Sequence, residues 1–383
     1  MRIQNARIVP VDAPVIEAGY VDIENGIITA VGAMPAATAA DEIYDAEGAT
    51  VYPGFIDAHC HLGMWEDGLS FEGDDGNEDT DPTTPHLRAI DAINPLDRCF
   101  EEARKAGVTT VVTGPGSANP IGGQLCAIKT VGVCTDDMVV KAPLAMKMAL
   151  GENPKCTYHG KSQAPVTRMA TAAIIREQLR LAADYDKQLQ KAASDEDEDE
   201  PEFDAKCEAL LPVIRGELPV HFHAHRLDDI MTARRIANEF SLKYVIVHGT
   251  EAYLAADVLA RDGIDVLSGP ILTDRSKPEL RNQTPTNPAQ LHGAGIRLAI
   301  TTDHPETPLQ YLGICVGLAV REGLPYDAAL RAVTLDAAEI VGIADRVGSV
   351  TVGKDADLTL FDTDPFTIVA KPKAVMINGK WVL

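Results

Sequence analysis

The sequence predicts an α/β protein, with a β/α barrel of eight strands in its middle and one small sheet assembled from its two ends. Three observations lead there. Both ends alternate apolar and polar residues and turn at Asn-Gly pairs. The middle repeats a short apolar run followed by a helical stretch. The 383 residues leave room for one large barrel domain and a smaller one beside it.

At the start of the chain, RIQNARIV, YVDIENGIITAVG and ATVYPG read as short strands. Asn25-Gly26 lies between two alternating runs and marks a hairpin, because both central residues of a tight hairpin turn need a positive φ. The end of the chain repeats this character in GSVTVGKDADLTLFD and AVMINGKWVL, with a second turn at Asn378-Gly379. Between the ends, runs at 109–113, 144–150, 219–223, 244–248, 264–267 and 297–303 alternate with helical patterns, which predicts a parallel sheet closing into a barrel. Two segments break the rhythm. Residues 65–98 are rich in Gly, Pro and Asp and read as a long loop after a barrel strand, where sites are built. Residues 166–218 read as a helical insertion whose acidic run at 194–202 is a solvated tip.

Composition excludes several functions. With 57 acidic against 34 basic residues the net charge is −23, which repels phosphate backbones and anionic membranes. Seven scattered Cys without a CxxC pair suggest neither a disulfide framework nor a thiolate zinc site, and point to a reducing, cytoplasmic setting. The first residues lack the pattern of a signal peptide, and no apolar run approaches a membrane span.

The chemistry gathers at predicted strand ends. In Pro53-Gly-Phe-Ile-Asp57-Ala-His59-Cys-His61, strand alternation puts Asp57, His59 and His61 on one face, and two imidazoles so spaced can chelate one metal ion. Pro219-Val-His221-Phe-His223-Ala-His225 offers three more. His223 is the first choice as ligand, His225 enters the loop toward substrate, and His221 reads as a packed, hydrogen-bonded core residue. His248 closes the run Tyr244-Val-Ile-Val-His248, and Asp303 closes Ala299-Ile-Thr-Thr-Asp303, placed as metal ligand, base or both. In Leu144-Ala-Met-Lys147-Met-Ala-Leu the alternation aims Lys147 into the barrel. A buried ammonium must pair with a carboxylate such as Asp57, lose its proton or be modified.

Together these residues resemble the amidohydrolase superfamily of metal-dependent hydrolases, in the branch related to imidazolonepropionase and Xaa-Pro dipeptidase. PGFIDAHCH carries the likeness, with the later His and Asp strand ends, Ala145-Met-Lys147-Met-Ala-Leu-Gly151, and a tail of Thr334-Leu-Asp336-Ala-Ala, Gly348-Ser349 and Gly353-Lys-Asp-Ala-Asp-Leu358. Asp336 stands where the family usually has Asn. The resemblance implies a (β/α)8 TIM barrel over 53–345, with the helical insertion, and a β-sandwich made of 1–52 and 346–383. It also implies two divalent metals, zinc or else manganese or iron. His59, His61 and Asp303 would hold one, His223 and His248 the other, and Lys147, carboxylated, would bridge them. A metal-bound hydroxide would attack the carbonyl carbon of an amide, peptide-like or cyclic amide C–N bond, with Asp303 as general base and then acid.

Two other readings stand beside this one. A mononuclear deaminase of the same superfamily needs H-x-x-E in the fifth strand, yet Ala224, Arg226 and Asp228 follow the three histidines at that spacing. A non-catalytic, metal-free scaffold is the second, although all six ligand positions are filled. The partner expected is a small-molecule substrate, with no nucleic acid and no membrane, and a homo-oligomer is open. Candidate substrate contacts are His86 and Arg88 in the long loop, Gln124, Asn153, His225 and Arg226. Either arginine suits a substrate carboxylate.

Overall fold

The computed structural model describes residues 1–37 and 40–383. Along the chain the strands are β1 (Arg2–Ile8), β2 (Ile16–Glu24), β3 (Ile27–Ala33), β4 (Ile43–Asp45), β5 (Thr50–Pro53) and β6 (Phe55–Cys60), then β7 (Val108–Thr113), β8 (Ile121–Lys129), β9 (Val139–Ala149) and β10 (Val220–Ala224). They continue with β11 (Tyr244–His248), β12 (Val266–Ser268), β13 (Leu298–Ile300), β14 (Leu358–Phe361), β15 (Ala374–Ile377) and β16 (Lys380–Trp381). Among the described residues they form two sheets.

The terminal sheet runs β16-β15-β14-β5-β1-β2-β3, with β4 paired to β1, so strands from both chain ends interleave as expected. Both Asn-Gly turns form, with positive φ at Asn25, Gly26, Asn378 and Gly379. These turns, 353 residues apart from Asn25 to Asn378, abut: a Cβ on Gly379 would lie 2.7 Å from Gly26 Cα, and one on Gly26 would lie 2.8 Å from Asn378 O. Glycine is needed at both for space as well as for φ. The tail alternation over 348–357 does not become strand, which corrects the sequence reading there. Asp355 and Asp357 instead turn inward onto the buried Lys129, and only Leu358–Phe361 pairs in the sheet.

The second sheet is the eight-stranded barrel, in sequential order from β6 to β13. Its wall packs on the surrounding helices through residues such as Met146, Phe222, Ile246 and Leu298. Its interior is filled by small and branched residues including Ala58, Val112, Ala145, Val247 and Leu267. One strand departs from the parallel rule: β8 runs antiparallel to both β7 and β9. The reason is connection length, since only an antiparallel partner is reached by a short link, whereas a parallel one needs a crossover of roughly a dozen residues or more. Gly122-Gly123 at its start hides the strand from an apolar-run reading. The insertion between β9 and β10 is helical, with Arg168–Ser194 and Ala205–Ile214 packed on each other. No helix among the described residues is long and apolar enough to cross a membrane.

Candidate metal centre

The parallel register of the barrel wall aligns the C-terminal ends of its strands. His221 pairs with Lys147, His223 with Ala149 and His248 with Ala224, so these side chains arrive at one end of the barrel at graded depths. Asp303 follows β13 and meets β6 through Asp303 N donating to His59 O at 3.2 Å. His248 and Asp303 both take left-handed backbone, with φ of 71° and 55°, where the chain turns sharply out of its strand. Non-glycine residues in that region are characteristic of strained functional positions.

Two donor groups result, each with its ligand atoms within 4.8 Å of one another: His59, His61 and Asp303, and His223, His225 and His248. Asp303 joins them. Its Oδ1 lies 3.4 Å from His59 Nε2 and 3.3 Å from His61 Nε2, and its Oδ2 is 4.0 Å from His248 Nδ1. Lys147 Nζ sits 3.3 Å from His59 Nε2.

The imidazoles are oriented from behind. Nδ1 of His61 donates to Gly114 O at 2.7 Å and Nδ1 of His248 to Gly269 O at 2.8 Å. Nδ1 of His223 lies 2.8 Å from Ser117 Oγ, and Nδ1 of His225 lies 2.7 Å from Thr250 Oγ1. Occupying Nδ1 in this way leaves Nε2 as the free donor, the arrangement that metal-binding histidines need. The Nε2 atoms of His223 and His225 are buried and have no hydrogen-bond partner among the described residues. Orphaned buried nitrogens are costly unless something ligates them. The donor set therefore fits divalent cations of the zinc and manganese kind.

Electrostatics agree with that fit. Burial pushes His223, His225 and His248 down to about 3, so each is neutral at pH 7 and able to ligate. Burial raises the Asp303 carboxyl, but His248, His59 and His61 outweigh it and hold the group well below the usual carboxylate range. Burial lowers Lys147 to about 8, opposed by Asp303 and assisted by Lys277. The neutral amine is then within reach just above neutral pH.

Several sequence-predicted residues lie elsewhere. Asp57 does not pair with Lys147 and is not in the donor groups: its carboxylate accepts from Thr302 N, Thr302 Oγ1 and His59 N. The pairing of β6 with β7 is irregular between Asp57 and Cys60, which breaks the simple alternation. His221 is buried as expected, but neither ring nitrogen has a hydrogen-bond partner among the described residues. His86 is exposed, and Arg88 is exposed and paired with Asp91 at 2.9 Å. Gln124 donates to Pro85 O at 3.3 Å, because β8 turns it toward the long loop. Arg226 pairs with Asp228 at 2.8 Å beside a side pocket. Asn153 does reach the cleft, and His225 joins the donor groups rather than standing outside them.

The cleft over the centre measures about 440 Å³ and is lined by Trp65, Asn77, Ser117, Asn153 and Lys277 with His61, His223 and Asp303. Three residues in and beside the cleft carry no signal in the sequence pattern. Ser117 sits in the β7–β8 link, and Lys277 and the buried Glu279 come from the stretch after β12, which has no periodic pattern to mark it. Glu279 Oε1 lies 3.8 Å from His223 Nε2 and 3.6 Å from His225 Nε2.

Comparison with known proteins agrees with this architecture. The sequence profile of the amidohydrolase family matches residues 50–382. The crystal structure of an amidohydrolase from Thermotoga maritima MSB8 superposes with a TM-score of 0.96 at 41% identity, covering 100% of this chain and 99% of that one. Amidohydrolase tasK of Hapsidospora irregularis is 32% identical over 388 residues, 94% of this chain, and the chain spans 39% of that protein's length. An imidazolonepropionase of Mesorhizobium japonicum is 25% identical over 399 residues, 91% of this chain and 88% of that protein. A strand-end cluster of histidines and aspartate, on a barrel that superposes so closely, places the chain in the amidohydrolase family.

Proposed function

We propose that the protein is a binuclear metal-dependent amidohydrolase that cleaves an amide-type C–N bond in a small cyclic amide, dipeptide or N-acyl amino acid. The observation that carries this is the meeting of two donor triads around one buried lysine. His59, His61 and Asp303 hold one divalent ion, and His223, His248 and His225 hold the other, zinc first and manganese or iron as alternatives. When bound, such ions lower the pKa of water from about 15.7 to about 7 and polarise a carbonyl oxygen.

The chain's own groups supply the rest. Asp303 spans both triads and stays ionised, so it accepts a proton from the attacking water and returns it to the leaving nitrogen. Lys147, as a neutral amine, adds to carbon dioxide with loss of one proton, which gives an anionic carbamate between the triads. Trp65, Asn77 and Asn153 border the space left for substrate, and Lys277 adds a positive charge at its rim.

Elemental analysis of protein purified without added metal tests the reading, together with Lys147→Ala and Asp303→Asn. Two ions per chain, falling in Lys147→Ala, and loss of amide hydrolysis in Asp303→Asn are expected. One ion per chain, unaffected by Lys147→Ala, overturns the carbamate bridge and turns the search to deamination.

A further inference from the structure

Glu279 belongs to a short helical turn, Pro278–Leu280, in the link after β12, outside the strand-end pattern that supplies the other donors. It is completely buried. Its Oε2 accepts from Glu152 N at 3.0 Å, while Glu152 Oε2 accepts from Glu279 N at 3.1 Å, so two loops lock each other in place. Oε1 makes no hydrogen bond among the described residues. It is ion-paired with Lys277 Nζ at 3.2 Å, and Lys277 is itself tied to Asn153 Oδ1 at 3.1 Å.

What Oε1 faces is the unpartnered Nε2 of His223, at 3.8 Å, and that of His225, at 3.6 Å. Three such atoms around a tetrahedral ion, at bond lengths of about 2.1 Å, stand roughly 3.4 Å apart. The spacing is thus close to that of a ligand set. Charge points the same way. The first triad carries the Asp303 carboxylate, whereas the second consists of three imidazoles and has no anion of its own beside the carbamate it would share, and a buried dication is stabilised by anionic ligands close by.

We propose that Glu279 is a further metal ligand, which completes the second site as a carboxylate–imidazole site with His223, His225 and His248. This rests on the two-ion reading above and goes beyond it by adding a donor from the loop after β12. It also gives the Glu152–Glu279 lock a purpose, since it fixes the carboxylate's other oxygen toward the imidazoles.

The test is titration of chelator-stripped protein with Co(II) alone, followed by its visible absorption and by ion content, for wild type and Glu279→Gln. The glutamine keeps shape and an acceptor for Glu152 N, so an unchanged melting transition of the metal-free variant shows that the fold is intact. The first ion should bind as in wild type, while affinity for the second falls on the order of tenfold to hundredfold and its absorption band shifts. Glu279→Asp, which keeps the charge but withdraws it by one methylene, reads the same loss if the glutamine variant does not fold. A second ion bound by Glu279→Gln with wild-type affinity and spectrum overturns the assignment and leaves the two-ion reading standing. Wild type that binds no Co(II) overturns both.

Discussion

The Asp57 carboxylate accepts hydrogen bonds from both the backbone N–H and the hydroxyl of Thr302, across the one gap in the barrel where no strand ladder runs. The sheet order begins at β6 and ends at β13, and these two strands meet through only a few bonds, such as His61 N to His304 O at 2.9 Å. Asp57 therefore fastens the strand that bears His59 to the segment that bears Asp303. The candidate metal centre takes donors from both sides of this seam.

Removing the Thr302 hydroxyl is expected to loosen that fastening. Thr302→Val leaves a buried carboxyl short of one donor and should cost about 1–3 kcal/mol, read as a lower urea midpoint, whereas Thr302→Ser should stay near wild type. A valine variant as stable as wild type would show that the seam does not need the hydroxyl.

The two sheets are joined through a buried charge cluster. Lys129, at the end of β8, pairs with Asp355 at 2.9 Å and with Asp357, just before β14. Lys129→Met leaves buried Asp357 without a cation, while Asp355 keeps Arg346 at 2.8 Å, and a loss of about 3–5 kcal/mol in denaturant unfolding is expected. A change below about 1 kcal/mol would mean that water reaches the cluster and the pairing is dispensable.

Orientation of His223 depends on the hydroxyl of Ser117. Ser117→Ala removes the group 2.8 Å from His223 Nδ1, and metal affinity should fall on the order of tenfold to hundredfold with little change in folding. Competition with a chelator of known affinity measures it. Unchanged affinity would remove Ser117 from the metal centre's support.

Acid should affect stability through Asp229, whose carboxyl is pushed up to about 6 by burial, with Arg168 pulling the other way. The unfolded value is about 3.9, so the folded state binds the proton more tightly. This group's contribution therefore raises stability as pH falls from about 6 to about 4, and weakens it as pH rises through that window. The difference in urea midpoint between wild type and Asp229→Asn should vary across the window and flatten above it. A difference that is constant with pH would show that Asp229 keeps an ordinary pKa.

The features legible from the chain were those carried by local periodicity. Two-residue alternation marks the strands, so His59, His223, His248, Lys147 and Asp303 are readable as strand-end residues, and paired positive φ makes Asn25-Gly26 and Asn378-Gly379 readable as turns. The antiparallel β8 was not readable because its glycines blur the alternation, and Arg88 and Gln124 looked like substrate contacts because sequence distance says nothing of which way a loop faces.

The chain by itself determined which strands exist and which chemistry stands at their ends, because both follow from bonds and contacts between near neighbours. Tertiary structure alone decided that His225 joins the donors, that Ser117 and Thr250 turn the imidazoles, and that Glu279 faces them from a loop with no pattern of its own. The physical reason is that these relations are set by the closure of the barrel and by reciprocal loop hydrogen bonds such as Glu152 with Glu279, between residues 127 positions apart.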